Sequence, residues 1–404
     1  MRTLLLAWLL ITGFLPAFAQ DLVITNVTLL TGTEPQARLG AQIHIKGRLI
    51  ERIGKAGDAI PTGATVIDGQ GYCLMPGLID CHTHLDNMAA ARRALHSGVT
   101  TVRTAGVNAF QDVALDALVE SGRIAGPDIV AAGVYVTPEP GETILADPRL
   151  GHLIAGIQSD DELRSIVNVN IDRGAKVIKT RGTERAGMPD TDPRKQVYSE
   201  HQLRVIVSEA AKRNIPVMVH AHGDEGARAA VLAGARSIEH GTFLSEGTLR
   251  LMKEKGTWLV PTYVTLEDLT RPGGDYEHAI LEIRGQHMLP VAARMVRKAH
   301  ELGVRIATGA DNGYTSQSTS RIAQECQHLV QLGMTPLQAI QCATRSAAEL
   351  LNEPGTGTIA PGQEADLILV PGNPLEDIRH LQDVLMVVSN GQVAMKRIPF
   401  GIGR

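Results

Sequence analysis

Residues 74–85 read LMPGLIDCHTHL, an apolar run that ends on two histidines, His82 and His84, one residue apart. On an extended strand alternate side chains share a face, so the two imidazoles would project together, about 6.6 Å apart along the chain. An unbroken apolar strand of this kind belongs to a sheet covered on both faces, and in parallel α/β folds the chemistry gathers where such strands end. The pair alone is equally compatible with two histidines sharing a face by accident. The rest of the chain has to decide.

Working outward, seven further apolar segments follow: TTVRTAG (100–106), IVAAGVYVT (129–137), KVIKTRG (176–182), PVMVHAHG (216–223), SIEHGT (237–242), WLVPTYV (258–264) and VRIATGADN (304–312). Between them lie helix-patterned stretches such as SEHQLRVIVSEAAKRN (199–214) and DEGARAAVLAGA (224–235). Eight alternating units predict an α/β fold, a (β/α)8 TIM barrel over residues 75–356. The two ends are patterned differently. LVITNVTLL (22–30), AQIHIKGRLIERIG (41–54) and TVIDGQGYCLMPG (65–77) near one end, with GTIAPGQEADLILVPGNP (357–374) and VLMVVSNGQVAMK (384–396) near the other, are short strands broken by glycine turns. Residues 20–74 and 357–404 together are expected to build one small β-sandwich domain.

Residues 1–19 carry Arg2, the apolar stretch LLLAWLLITGFLP and then Ala17-Phe18-Ala19. That is the pattern of an export signal cleaved after Ala19, which predicts a periplasmic or secreted protein. A membrane anchor is the alternative, for which the run is short. With 404 residues, 44% of them hydrophobic, the chain can bury a barrel-sized core. A net charge of -4 with both signs interspersed offers no basic face for nucleic acid or an anionic membrane, so the expected partner is a small molecule. Whether the chain forms a homo-oligomer is left open. Cys73, Cys81, Cys326 and Cys342 are too few for a disulfide framework, although a bridge between Cys326 and Cys342 remains open.

At the expected strand ends stand His82 and His84, Lys179, His220 and His222, His240, and Asp311. Imidazole nitrogens suit zinc and other borderline metals, and a carboxylate at the eighth strand brings anionic charge to the same rim. Lys179 fits poorly, because an ammonium would be repelled by divalent cations. Carbamylation by carbon dioxide would turn it into an anionic bridge. The alternatives are a rim salt bridge or a contact to a substrate carboxylate.

PGLIDCHTH, the lysine of KVIKTRG, the histidines of VMVHAHG and SIEHGT and the aspartate of TGADN together resemble the amidohydrolase superfamily, in particular its imidazolonepropionase-like and prolidase-like dinuclear members. The resemblance spans essentially the whole chain after the leader, including the tail PGQEADLILV. It implies that His82, His84 and Asp311 hold one divalent metal and His220 and His240 the other, with carbamylated Lys179 and a hydroxide between them. His222 in place of His220 is the competing assignment. Zinc is the first choice of metal, with cobalt or manganese accepted by the same donors.

The implied reaction is hydrolysis of a small amide by attack of that hydroxide, with Asp311 acting as general base and then general acid. Arg228, Tyr263 and His222 are the expected substrate contacts: Arg228 for a carboxylate, Tyr263 for an oxyanion, and His222 where relatives carry an aromatic residue. Glu239 and Thr104 receive no role. The expected substrate is a dipeptide or N-acyl amino acid, including amide-linked toxins of the ochratoxin type. A cyclic-amide or lactone hydrolase or a deaminase is the alternative, and a barrel that has lost its chemistry and serves only to bind is the non-enzymatic one. The long loops at 137–160 and 265–280 are expected to cover the site.

Overall fold

This computed structural model describes residues 21–397 apart from Gly274. The expected leader, residues 1–19, lies outside the described residues. Five strands come first: β1 (Leu22–Leu29), β2 (Arg38–Lys46), β3 (Leu49–Lys55), β4 (Thr65–Asp68) and β5 (Cys73–Pro76). Then come β6 (Leu78–Thr83), β7 (Val99–Thr104), β8 (Asp128–Val130), β9 (Ile178–Arg181), β10 (Val217–Ala221), β11 (Ser237–His240) and β12 (Trp258–Val260), followed by β13 (Leu367–Val370), β14 (Met386–Ser389) and β15 (Gln392–Lys396). The helices are α1 (Met88–His96), α2 (Gln111–Glu120), α3 (Asp160–Arg173), α4 (Glu200–Ala211), α5 (Asp224–Ala233), α6 (Glu246–Lys255), α7 (Tyr263–Asp268), α8 (Ala279–Leu302), α9 (Ile322–Gln331), α10 (Pro336–Cys342) and α11 (Arg345–Leu351).

Strands from both ends of the chain share one eight-stranded sheet, in the order β15-β14-β13-β5-β1-β2-β3, with β4 beside β1. Its buried side chains, among them Ile24, Ile43, Ile45, Leu74, Leu367, Leu369 and Val388, form a core of their own. Strand β5 is the join. It pairs antiparallel with β13, from Leu367 opposite Pro76 to Val370 opposite Cys73, and Gly77 then leads directly into β6.

The middle of the chain is parallel α/β. Strands β6, β7 and β8 form one sheet and β9 to β12 another, every pairing parallel. A single bridge, Val136 to Thr180, links residues beyond β8 to β9. Bridges from Ile306 to Leu259 and from Asn312 to Thr83 place residues 304–312 between β12 and β6. Strands β6, β7, β10, β11 and β12 are buried along their whole length, which explains the unbroken apolar runs in the sequence.

Three expected strands are shorter than their apolar runs. The run at 129–137 is a strand only to Val130, and 304–312 is held through isolated bridges and hydrogen bonds. The run at 258–264 stops at Val260, because Pro261 has no N–H to give to a ladder and Thr262 turns left-handed at φ 46°. Tyr263 therefore opens helix α7 instead of ending a strand. The Glu325 carboxylate accepts the backbone N–H of Tyr263 at 3.0 Å and of Val264 at 2.8 Å, satisfying two donors of that helix start.

Candidate metal centre

His82 and His84 lie at the end of β6, His220 and His222 at the end of β10, and His240 ends β11. Asp311 reaches the same place from residues 304–312, its N–H bonded to the His82 carbonyl at 2.8 Å. Asp311 Oδ1 is 3.3 Å from His82 Nε2 and 3.1 Å from His84 Nε2, and its Oδ2 is 3.9 Å from His240 Nδ1. Lys179 Nζ, from β9, lies 3.4 Å from His82 Nε2. The donors fall into two groups, His82 with His84 and Asp311, and His220 with His222 and His240, the ligand atoms of each within 4.8 Å of one another.

Each histidine is held by a partner on one nitrogen, which leaves the other for the centre. His82 Nδ1 meets Glu239 Oε2 at 2.8 Å, His84 Nδ1 the Gly106 carbonyl at 3.0 Å, and His240 Nδ1 Thr262 Oγ1 at 2.6 Å. His222 Nδ1 meets Thr242 Oγ1 at 2.9 Å and His220 Nε2 the Glu184 carbonyl at 3.0 Å. Arg103 on β7 donates to the second oxygen of Glu239 at 2.9 Å. Three site residues, His240, Thr262 and Asp311, stand at positive φ, of 72°, 46° and 45°. Such backbone costs of order 1 kcal/mol or more per residue and persists where the surroundings dictate it. Gly309 sits where a Cβ would fall 2.8 Å from His82 Cβ and 2.8 Å from Val260 Cγ1, so only glycine lets residues 304–312 approach β6 this closely.

Burial sets the charges. It holds His220 and His240 well below the ordinary imidazole value and His222 at about 3, so all three present neutral nitrogens. Burial also brings Lys179 down to about 8. Burial would raise Asp311, but the electrostatic pull and hydrogen bond of His82, with the hydrogen bond of His84, outweigh it and keep the carboxyl well below its usual range. Five imidazoles around an ionised carboxylate match the coordination chemistry of one or two borderline divalent metals.

All seven strand-end residues expected in the centre line one pocket. Two expected substrate contacts do not. Arg228 is exposed on α5, whose buried side is Gly226, Ala227, Ala229 and Ala230, so the helical phase turns it to solvent. Tyr263 packs against the His328 ring, 5.2 Å between centroids, outside the pocket. Tyr135, Arg181, Arg185, Met188, Leu266 and Tyr276 take those places. Arg181 was readable, since it follows Lys179 by two residues on β9 and shares its face. Of the two long loops, 265–280 contributes pocket residues and 137–160 contributes none among the described residues, its short 3-10 helix Pro148–Ala155 packing on α3. Cys73, Cys81, Cys326 and Cys342 are all free and buried.

Clustered histidines and a carboxylate at the ends of parallel strands define the class of metal-dependent hydrolases built on an α/β barrel-type fold. The chain belongs to the amidohydrolase family, whose model matches residues 73–394. It is similar to ochratoxinase of Aspergillus niger, 32% identical over 352 residues that cover 77% of this chain and 72% of that protein. Imidazolonepropionase of Micrococcus luteus is 26% identical over 377 residues, covering 85% of this chain and 91% of its own. A solved Xaa-Pro dipeptidase with methionine bound in its active site superposes with a TM-score of 0.83 at 30% identity, over 93% of this chain and 99% of that one. The chain is thus an enzyme of a metal-dependent amidohydrolase family, acting on amide or peptide carbon–nitrogen bonds.

Proposed function

We propose that the substrate is a small amide with a free carboxylate on its amino-acid part, a dipeptide or N-acyl amino acid, with ochratoxin-type amides in the same class. The observation that carries this reading is the pair Arg181 and Arg185. Both line the pocket, and among the described residues neither has an acid within 4.0 Å. Arg185 Nε is buried with no hydrogen-bond partner, and burial beside the Arg185 charge lowers Arg181 to about 10. Two guanidiniums without an acid partner, Arg181 having only the Tyr135 ring face at 5.9 Å, call for an anion, and a carboxylate matches their geometry. Met188, Leu266, Leu269 and Tyr276 give the same pocket an apolar wall for a side chain or acyl group. The relatives fit this class: one is an ochratoxinase and one a dipeptidase holding a free amino acid.

His82, His84 and Asp311 would hold one divalent ion, and His220 and His240 the other, with zinc favoured by the nitrogen donors. Such ions supply Lewis acidity and a water acidic enough to attack at neutral pH. Lys179, 3% exposed and 3.4 Å from His82 Nε2, would be repelled as an ammonium by ions bound there. Addition of its neutral amine to carbon dioxide, with loss of one proton, would give an anionic carbamate able to face both. Asp311 would accept the nucleophile's proton and return it to the leaving nitrogen, since both its oxygens face the centre. His222, stacked on His240 with ring centroids 4.5 Å apart, would border the substrate. The two parallel sheets joined through residues 304–312 are read as one closed (β/α)8 barrel with a sandwich domain from the chain ends. Residues 1–19 are read as an export signal.

The test is elemental analysis of the purified protein together with hydrolysis of a panel of dipeptides and N-acyl amino acids, each beside its C-terminal amide. About two metals per chain and chelator-sensitive cleavage that strongly favours the free acids over their slowly cleaved amides is the expected result. About one metal and release of ammonia from ring amines would instead make the enzyme a deaminase.

A further inference from the structure

The end of the parallel strands opposite the histidines carries a second polar pocket, of about 320 Å³, between the terminal sheet and the α/β part. Asp128, the first residue of β8, meets Glu364 and Asp366 there, carboxylate oxygens of all three lying within 4.8 Å of one another. The surrounding charge is unbalanced. Lys176 is taken by Asp116 at 2.7 Å and Glu120 at 2.8 Å, and Arg48 donates to the Asn390 side-chain oxygen and has Glu364, at 3.7 Å, as its one acid partner among the described residues. Among the described residues, Asp128, Asp366 and Glu353 have no cation within 4.0 Å. Their remaining bonds are to neutral donors: Asn390 Nδ2 to Asp128 at 3.0 Å, and Asn390 N and Thr356 Oγ1 to Asp366 at 2.8 and 3.2 Å.

An independent feature points into the same space. Thr101 on β7 is the register partner of Asp128 on β8, so the two side chains stand side by side on one face of the sheet. Thr101 is 2% exposed and lines the pocket, yet its hydroxyl has no hydrogen-bond partner. A buried hydroxyl without a partner is costly unless something polar meets it. Burial, with the charge of Asp128, also pushes Asp366 up to about 7, as expected where the compensating charge is missing.

We propose that this pocket is a structural cation site, binding one hard divalent ion of the calcium type between Asp128, Glu364 and Asp366, with the Thr101 hydroxyl and waters completing the shell. The donors are all oxygen, which excludes a preference for zinc, and the pocket has room for several waters. The ion would tie β8 to the start of β13, and so the α/β part to the terminal sheet. The proposal does not depend on the substrate assigned to the histidine centre.

The test uses the metal-loaded enzyme in resin-treated buffer, with radioactive calcium in equilibrium dialysis and Tm followed against calcium. The wild type is expected to bind about one calcium per chain with Kd of about 0.1–1 mM or tighter, and to gain about 2 °C or more. Asp128→Asn and Glu364→Gln should lose both effects while keeping hydrolytic activity, and in calcium-free buffer their Tm should equal or exceed that of the wild type because a repelling charge is gone. Thr101→Val, nearly isosteric, should weaken calcium binding several-fold and covers the case in which a carboxylate variant fails to fold. Absence of calcium binding by the wild type, or a Tm gain retained in the variants, would overturn the proposal.

Discussion

His82 Nδ1 lies 2.8 Å from Glu239 Oε2, and both groups are fully buried. The contact fixes which imidazole nitrogen faces Asp311 and Lys179. Arg103, bonded to the other Glu239 oxygen and to the Cys81 carbonyl at 2.7 Å, keeps the carboxylate ionised: burial opposes it, but Arg103 and then His82 bring Glu239 down to about 2. Glu239→Gln keeps the size and loses the charge. Metal affinity should fall about 10–100-fold, the usual effect of removing a partner of a metal-bound histidine. Competition with a chromophoric chelator measures it, and an unchanged affinity would remove Glu239 from the centre.

Gly309 offers a stability test of the same wall. An added methyl would meet His82 Cβ and Val260 Cγ1, each at 2.8 Å, and both belong to rigid buried strands. Gly309→Ala should cost about 1–3 kcal/mol by overpacking, read from denaturant unfolding of the metal-loaded protein, and should lower metal content at a fixed free-metal concentration. A variant as stable as the wild type would show that residues 304–312 yield easily, against the tight seating of Asp311.

Strand-end histidines were legible because a buried strand shows its periodicity and its last residue in a few letters: HTH, VHAH and IEH announce both the strand and what it carries. Tyr263 was misread because WLVPTYV is apolar throughout, and the helix start beyond Pro261 depends on Glu325, more than sixty residues away along the chain. Arg228, expected at the substrate, lies on the exposed side of α5 outside the pocket, a helical phase that its small neighbours announce only weakly in the sequence. Arg185 and Tyr276 come from irregular segments whose path depends on tertiary packing. Gly187 is needed under the Tyr276 ring, where a Cβ would lie 2.6 Å from it, and no local pattern pairs those two positions.

Glu325 makes stability depend on pH. Burial raises its carboxyl from an ordinary 4.5 to about 8, so the folded state holds a proton that the unfolded state has released. Between those values the native form binds more protons, and stability falls as pH rises toward 8. Glu325→Gln, neutral throughout, removes that slope. Tm profiles of the two proteins should diverge in favour of the variant from about pH 5 to about pH 8. Parallel profiles would show that the hydrogen bonds from Tyr263 and Val264 already hold the group ionised at neutral pH.

The arginine pair yields the sharpest test of specificity. If Arg181 and Arg185 together receive the substrate carboxylate, removing one leaves the other to hold it singly. Arg181→Met and Arg185→Met should each lower kcat/KM for a free-acid substrate about 10–100-fold, chiefly through KM, the loss of one charge-assisted hydrogen-bonded contact. The corresponding C-terminal amide has no anion to lose, so its slow turnover should change little or rise as the repulsion between the two guanidiniums is relieved. The free-acid to amide selectivity would then collapse in both variants. Arg228→Met, on the exposed side of α5, should leave that ratio unchanged. Equal losses on acid and amide would mean that the pair shapes the pocket without reading the carboxylate, and the substrate class would have to be sought among neutral amides.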